Sequence, residues 1–121
     1  MSRIPSTDAF LPLTPAISHI LLALADTERH GYAIMQEVAR LTGGATRMGP
    51  GTLYGTIKRM LASGLVEEAD ERPDPDLDDE RRRYYRMTPL GRAVLAAETA
   101  RMTALVDAAR EKRVKPAGKR S

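Results

Sequence analysis

Cysteine and tryptophan are both absent from the 121 residues. Without cysteine there is no disulfide framework, no thiolate metal site and no cysteine nucleophile, although this does not settle the compartment. There are only two histidines, His19 and His30, and no zinc site or Ser-His-Asp triad can be assembled from them with any specificity. An enzyme, which needs a convergent set of acids, bases or nucleophiles, is therefore not expected. Aromatic content is low, with one Phe and four Tyr, which disfavours a single-stranded RNA binder that stacks bases on exposed rings. The longest uninterrupted apolar run, ILLALA from Ile20 to Ala25, is far too short to span a bilayer. The N-terminus MSRIPSTDAFLPLTP lacks the apolar core of a secretory signal, so a cytoplasmic protein without a membrane association is expected.

What the chain does have is charge sorted along its length. Residues 1–69 carry six basic and six acidic side chains, residues 70–80 have a net charge of −6, and residues 81–121 have a net charge of +9. Segregation of this kind in a chain of single-domain length suggests a polyanionic partner, with a solvated helix and a basic tail as the plainer explanation.

Residues 1–13 mix Pro, Ser and Thr with a few apolar positions and read as a flexible arm. Thr14-Pro15 fits an N-cap followed by proline at the first helical position, and Ile17, Ile20, Leu21 and Leu24 follow at helical spacing. Leu22 lies on another side of that helix, which calls for more than one covering neighbour. Asp26 to His30 reads as a polar break. A second helix is expected over Gly31–Leu41, with Tyr32, Ile34, Met35, Val38 and Leu41 at its apolar positions. A third is expected from Pro50 or Gly51 to Ser63, with Leu53, Ile57, Met60 and Leu61 as its stripe and Gly64 as its C-terminal glycine. Leu65–Ala69 and Arg82–Thr88 look like two short strands flanking DERPDPDLDDE, a proline-broken acidic loop. Thr88-Pro89 repeats the cap signal before a long helix to about Arg113, and residues 114–121 form a basic tail expected to be disordered. The expected fold is mainly α with a small two-stranded β-wing: a winged helix-turn-helix domain over 14–88, then a long C-terminal helix over 89–113.

The stretch GPGTLYGTIKRM, Gly49 to Met60, offers two glycine-based readings. A dinucleotide-binding turn needs a strand running into G-x-G-x-x-G, and a phosphate-binding P-loop needs Lys followed by Ser or Thr after its last glycine. Here a helix precedes the glycines, the spacing is G-x-G-x-x-x-G, and Gly55 is followed by Thr56, Ile57 and Lys58. Neither requirement is met. A helix-turn-helix instead requires the third helix to be apolar on one face and suited to a groove on the other. With Leu53 at zero and about 100° per residue, Ile57, Leu61 and Met60 fall on one side, and Gly55, Arg59, Thr52, Ser63 and Thr56 fall between about 200° and 300°. That second face is polar, short and nearly free of carboxylates. Thr52, Thr56 and Arg59 can read base edges there, and Gly55 permits close approach. Tyr54 at the rim can pack or reach a phosphate. Lys58, Arg81, Arg82 and Arg83, and also Arg47, supply phosphate contacts.

Three segments, HGYAIMQEV, GTLYGTIKRMLASGLVEE and RRRYYRMTPLGR, occur in that order, and together they resemble the PadR family of winged helix-turn-helix transcriptional regulators over roughly Thr14 to Arg110. The resemblance implies a cytoplasmic, DNA-binding homodimer, usually a repressor, of the short subtype with one C-terminal dimerisation helix. It carries DNA contacts onto Gly51, Thr52, Tyr54, Gly55, Lys58 and Arg59, and onto Arg82 and Arg83 in the wing. The wing tip departs from the family, whose tip is usually short, glycine-containing and basic. Here it holds seven carboxylates, which would disfavour phosphate contact by the tip. The absence of tryptophan also removes any ligand pocket built on paired tryptophans.

Asp74, Asp76 and Asp78 alternate as calcium ligands do, but an EF-hand needs Gly at position six and Glu at twelve, and here those positions are Asp79 and Tyr85. No metal or cofactor is expected. Tyr84 and Tyr85 must face opposite sides of a strand. In the last helix Leu95, Met102 and Ala109 repeat at seven, with Leu105 and Val106 beside Met102. Glu98 and Arg101 interrupt this stripe, which could cover the first helix of its own chain or a partner's. The expected function is a homodimeric, sequence-specific regulator of double-stranded DNA on an inverted repeat, released by an unidentified small-molecule effector bound between the long helices. The alternative is a winged-helix protein-interaction module without specific DNA binding.

Overall fold

The Thr14 hydroxyl accepts the Ile17 N–H at 3.3 Å, and Pro15 fills the first helical position. Together they start α1, Pro15–Ala23. This computed structural model describes residues 7–69 and 83–118. After α1 come a short strand β1, Arg29–His30, then α2, Gly31–Leu41, and α3, Pro50–Ser63. β2, Val66–Ala69, and β3, Tyr84–Met87, lead into α4, Pro89–Glu111. The acidic loop and Arg81 and Arg82 lie outside the described residues.

The helix boundaries follow from local chemistry. Gly64 ends α3 in the left-handed conformation, φ 81°, which an L side chain adopts only with strain. His30 caps α2, its ring Nδ1 accepting the Ala33 N–H at 3.0 Å. Thr88 caps α4 by accepting the Gly91 N–H at 3.0 Å, and its hydroxyl also donates to the carbonyls of Gly64 and Leu65. One side chain thus ties the start of α4 to the turn after α3. The fit there is tight: a Cβ on Gly91 would fall on the Leu65 carbonyl oxygen and 3.0 Å from the Met87 side chain.

The core is built from Ile20 and Leu21 of α1 with Leu24 at its C-cap, Ile34 and Val38 of α2, Leu53, Ile57 and Met60 of α3, and Leu65, Val66, Tyr85 and Val94. Those of α1, α2 and α3 fall at periodic apolar positions of the sequence, whereas Val94 lies beside the expected Leu95 stripe, and Tyr32 and Leu41 of the α2 stripe are exposed. Each fully buried Leu or Ile contributes about 1.5–3 kcal/mol of transfer free energy.

Two expectations change. The wing strands pair antiparallel with Glu67 opposite Arg86 and Glu68 opposite Tyr85, but β1 adds on the other side of β3, giving a three-stranded sheet in the order β1-β3-β2. Two residues are too few to carry a strand periodicity, so Arg29–His30 reads as a break in the sequence. The N-terminal arm also has structure. Thr7–Phe10 forms a 3₁₀ turn, Leu13 is buried, and the Leu13 N–H donates to the Glu98 carboxylate of α4. Glu98 is itself 1% exposed and paired with Arg101 at 2.7 Å.

Candidate nucleic-acid interface

α3 leaves one stripe open. Gly51, Thr52, Lys58, Arg59, Ala62 and Ser63 are exposed and Gly55 is half-buried, while Leu53, Ile57 and Met60 turn inward. The helix starts at Gly49 without a side-chain cap, and Pro50, Gly51 and Thr52 stand in solvent. The first-turn N–H groups of such a helix, together with its dipole, favour an anion.

Thr56 departs from the sequence reading. It is 1% exposed, and its hydroxyl donates to the Thr52 carbonyl at 2.7 Å and accepts from Arg59 Nη2 at 3.2 Å. It lies at the edge of the buried sector, one step from Met60, so it holds Arg59 rather than facing a groove. Tyr54 is half-buried, with its ring packed over Gly31 at the start of α2.

Five arginines elsewhere on the surface are committed to intramolecular bonds. Arg29 donates to the Ala23 carbonyl at 2.8 Å and pairs with Asp26. Arg40 pairs with Glu37, Arg86 with Glu67 and Glu28, and Arg101 with Glu98, while Arg92 donates to the Ala25 carbonyl. Among the described residues no carboxylate is ion-paired with Arg47, Lys58, Arg59 or Arg83. Among the described residues, then, these four cations near α3 have no carboxylate partner.

Lys58 and Arg83 line one cleft between α3 and the wing, about 290 Å³, with Tyr54, Leu61 and Tyr85. Arg81 and Arg82, the other wing cations, lie outside the described residues. The same cleft contains Glu68, which the sequence reading did not place there. Strand alternation puts Glu68 on the face of Val66, towards α3, and Glu67 on the other face with Arg86. On the far side of α3, Tyr32, Gln36 and Arg47 border a shallow hollow of about 200 Å³ between α2 and the α2–α3 loop. Tyr32 was expected to be covered but is 42% exposed, which adds a phenol to this surface. Its exposure was legible only as a position at the edge of the α2 stripe.

The tyrosine pair divides as strand alternation requires. Tyr85 is buried, and Tyr84 meets His30 edge-on with ring centroids 5.3 Å apart. The C-terminal stripe also divides. Leu95 packs against the core and Ala109 is half-buried, whereas Met102, Leu105 and Val106 are exposed at 48%, 66% and 37%. Leu22 on α1 is exposed as well. Among the described residues no group of three or more His, Asp or Glu side chains could hold a metal ion, and no helix is long and apolar enough to cross a membrane. Asp74, Asp76 and Asp78 fall outside the described residues.

Comparison with known proteins gives a consistent result. The profile of the Transcriptional regulator PadR-like family matches residues 20–97. Transcriptional regulator Rv3488 of Mycobacterium tuberculosis is 43% identical over 93 residues, covering 77% of this chain and 78% of that protein. An uncharacterized 37.1 kDa protein in transposon TN4556 of Streptomyces fradiae is 38% identical over 86 residues, covering 71% of this chain and only 22% of that protein. The structure of Bacillus subtilis PadR in complex with operator DNA matches with a TM-score of 0.60 at 19% identity, over 71% of this chain and 46% of that one, a likeness of fold.

Proposed function

The chain belongs to the PadR-like family of transcriptional regulators, and from that premise we propose that it works as a homodimeric repressor that reads an inverted repeat. It is a DNA-binding transcriptional regulator and not an enzyme. The observation that carries the finer reading is the open face of α3, where Thr52 and Arg59 stand in solvent and the cations Lys58, Arg83 and Arg47 are exposed as well.

Arg59 presents two parallel N–H donors to a guanine edge, and Thr52 offers a hydroxyl and a methyl. Gly51 and Gly55 add no bulk where the helix backbone nears the groove. Lys58 and Arg83 take phosphates, and Arg81 and Arg82 extend that grip along the wing. The half-buried ring of Tyr54 sets the pitch of α3. Thr56 contributes by bracing Arg59. Met102, Leu105 and Val106, with Leu95 and Ala109 behind them, form the face that a second copy covers. An apolar strip of this kind on an otherwise charged helix is disfavoured in water. Release by a small molecule follows if binding alters the spacing of the two α3 helices.

Hydroxyl-radical footprinting on the duplex upstream of the protein's own gene tests this reading. A dimer predicts two protected half-sites on one face of the duplex, about one turn or 34–36 Å apart. A single protected patch contradicts the dimeric arrangement. No protection, at concentrations where a partner protein binds, supports an interaction module instead.

A further inference from the structure

We propose that His30 is a positioning residue that joins α2 to the wing only while its ring is neutral, so that protonation loosens this joint and weakens duplex binding. The second half rests on the reading of α3 and the wing given above. His30 stands where three parts of the domain meet. It closes β1, where it pairs with Tyr84 of β3, and its ring meets the Tyr84 ring edge-on. It is also the N-cap of α2, extended in backbone, and its Nδ1 accepts the Ala33 N–H at 3.0 Å. The next residue, Gly31, lies under the Tyr54 ring of α3.

The choice of cap sets the sign. Ser, Thr, Asp and Asn, the common N-caps, accept through an oxygen that stays an acceptor near neutral pH. An imidazole accepts only through a nitrogen without a proton, and imidazolium is a donor at both. Here Nδ1 is the acceptor, so the ring proton sits on Nε2. Protonation sets an N–H against the Ala33 N–H and places a positive charge at the positive end of the α2 dipole. The first turn of α2 has no acidic side chain to offset it. The edge-on ring contact tolerates either charge state, so the cap decides.

The charged groups packed around this joint are paired among the described residues. Arg86 of β3 bonds Glu28, two residues before His30, at 3.5 Å and Glu67 of β2 at 2.9 Å. Arg29 of β1 pairs with Asp26 and with Glu37 of α2, and Glu37 also pairs with Arg40. Two carboxylates against one guanidinium in the Glu28–Arg86–Glu67 trio leave a net negative charge, which favours imidazolium. That trio is 31% to 49% exposed and screened by solvent, whereas the part-buried cap bond is lost outright.

The test takes the full-length protein from about pH 8 to about pH 5.5, across the ordinary histidine range near 6.5. Without DNA, long-range nitrogen–proton correlation NMR should show the Nε2–H tautomer of His30 at high pH. Exchange of the Ala33 amide, corrected for its intrinsic pH dependence, should quicken about threefold or more as the ring titrates. A proton on Nδ1 at high pH, or an Ala33 amide indifferent to the titration, would overturn the joint. This arm contains no duplex, so its failure leaves DNA reading by α3 standing. The second arm measures affinity for the duplex upstream of the protein's own gene at fixed ionic strength. Titrating histidines adds positive charge, which by itself tightens binding to phosphates as pH falls. The opposite is expected here, a weakening of about three- to tenfold. His30→Asn, which caps at every pH, should not weaken, and His30→Ala should bind with the low-pH affinity throughout. Tighter wild-type binding at low pH, or the same weakening in His30→Asn, would overturn the link to DNA.

Discussion

The ring of Tyr54 lies directly over Gly31, so that the first residue of α2 and the second turn of α3 touch through a glycine that has no side chain. A Cβ at position 31 would stand 2.6 Å from Cζ and 2.8 Å from Cε1 of that ring. Gly31 is therefore required by the crossing of the two helices rather than by its backbone angle. Gly31→Ala is expected to destabilise the protein by about 1–3 kcal/mol, the usual range for overpacking, as read from urea unfolding. It should also weaken duplex binding, because the ring must move and α3 with it.

The cleft between α3 and the wing sets two cations against one carboxylate. Lys58→Ala should weaken binding to all duplexes alike and reduce the slope of log affinity against log salt by about one per protomer. Glu68→Gln should act in the opposite direction, raising affinity for random duplex by roughly two- to tenfold at low salt, because a like charge no longer faces the phosphates. Parallel fluorescence-anisotropy titrations would register both changes.

On α4 the core-facing and open halves are separate in sequence. Val94 and Glu98 are buried, so deleting the whole helix would unfold the domain, whereas Met102 and Leu105 are open and can be changed without touching the core. Leu105→Glu is expected to shift the protein to monomer in sedimentation, with the unfolding midpoint of the isolated fold little altered. A variant that remains dimeric would move the interface elsewhere.

Glu98 makes stability depend on pH. The hydrogen bonds from Arg101 hold its carboxyl below the usual carboxylate range, with the Leu13 N–H adding to the effect and burial opposing it. A carboxyl whose value is lower folded than unfolded contributes fully above its unfolded pKa, and that contribution is lost as pH falls through the folded value. Thermal unfolding should therefore show a loss of stability as pH falls below the ordinary carboxylate value of 4.5 that is smaller in Glu98→Gln. Equal profiles for the two proteins would remove Glu98 as the source.

Most of the fold was legible because its signals are local. Thr14-Pro15, Thr88-Pro89 and Gly64 mark helix ends through capping chemistry, and the α2 and α3 stripes repeat at the helical period. What was not legible depended on contacts distant in sequence. The two residues of β1 become a strand only because β3 passes beside them. Leu13 is buried in the core where the N-terminal segment packs on α4, with its N–H on Glu98, so a Pro-rich stretch that reads as an arm is partly packed. At the site, the helical wheel placed Thr56 beside Arg59 correctly in angle, but angle alone does not show that neighbouring elements cover position 56. Strand alternation placed Glu68 on the face towards α3, yet only the packing of β2 against α3 put it in the same cleft as Lys58.

The central claim, that the open face of α3 reads duplex sequence, is tested most directly by the ratio of affinities for the duplex upstream of the protein's own gene and for random duplex. This ratio would be measured at several salt concentrations for the wild type and for Arg59→Ala. The account predicts a wild-type preference of about 10³-fold or more, a steep salt dependence on both duplexes, and a preference cut by roughly tenfold or more in Arg59→Ala, as loss of one base contact implies. Equal wild-type affinities for the two duplexes, or a preference untouched by Arg59→Ala, would contradict it.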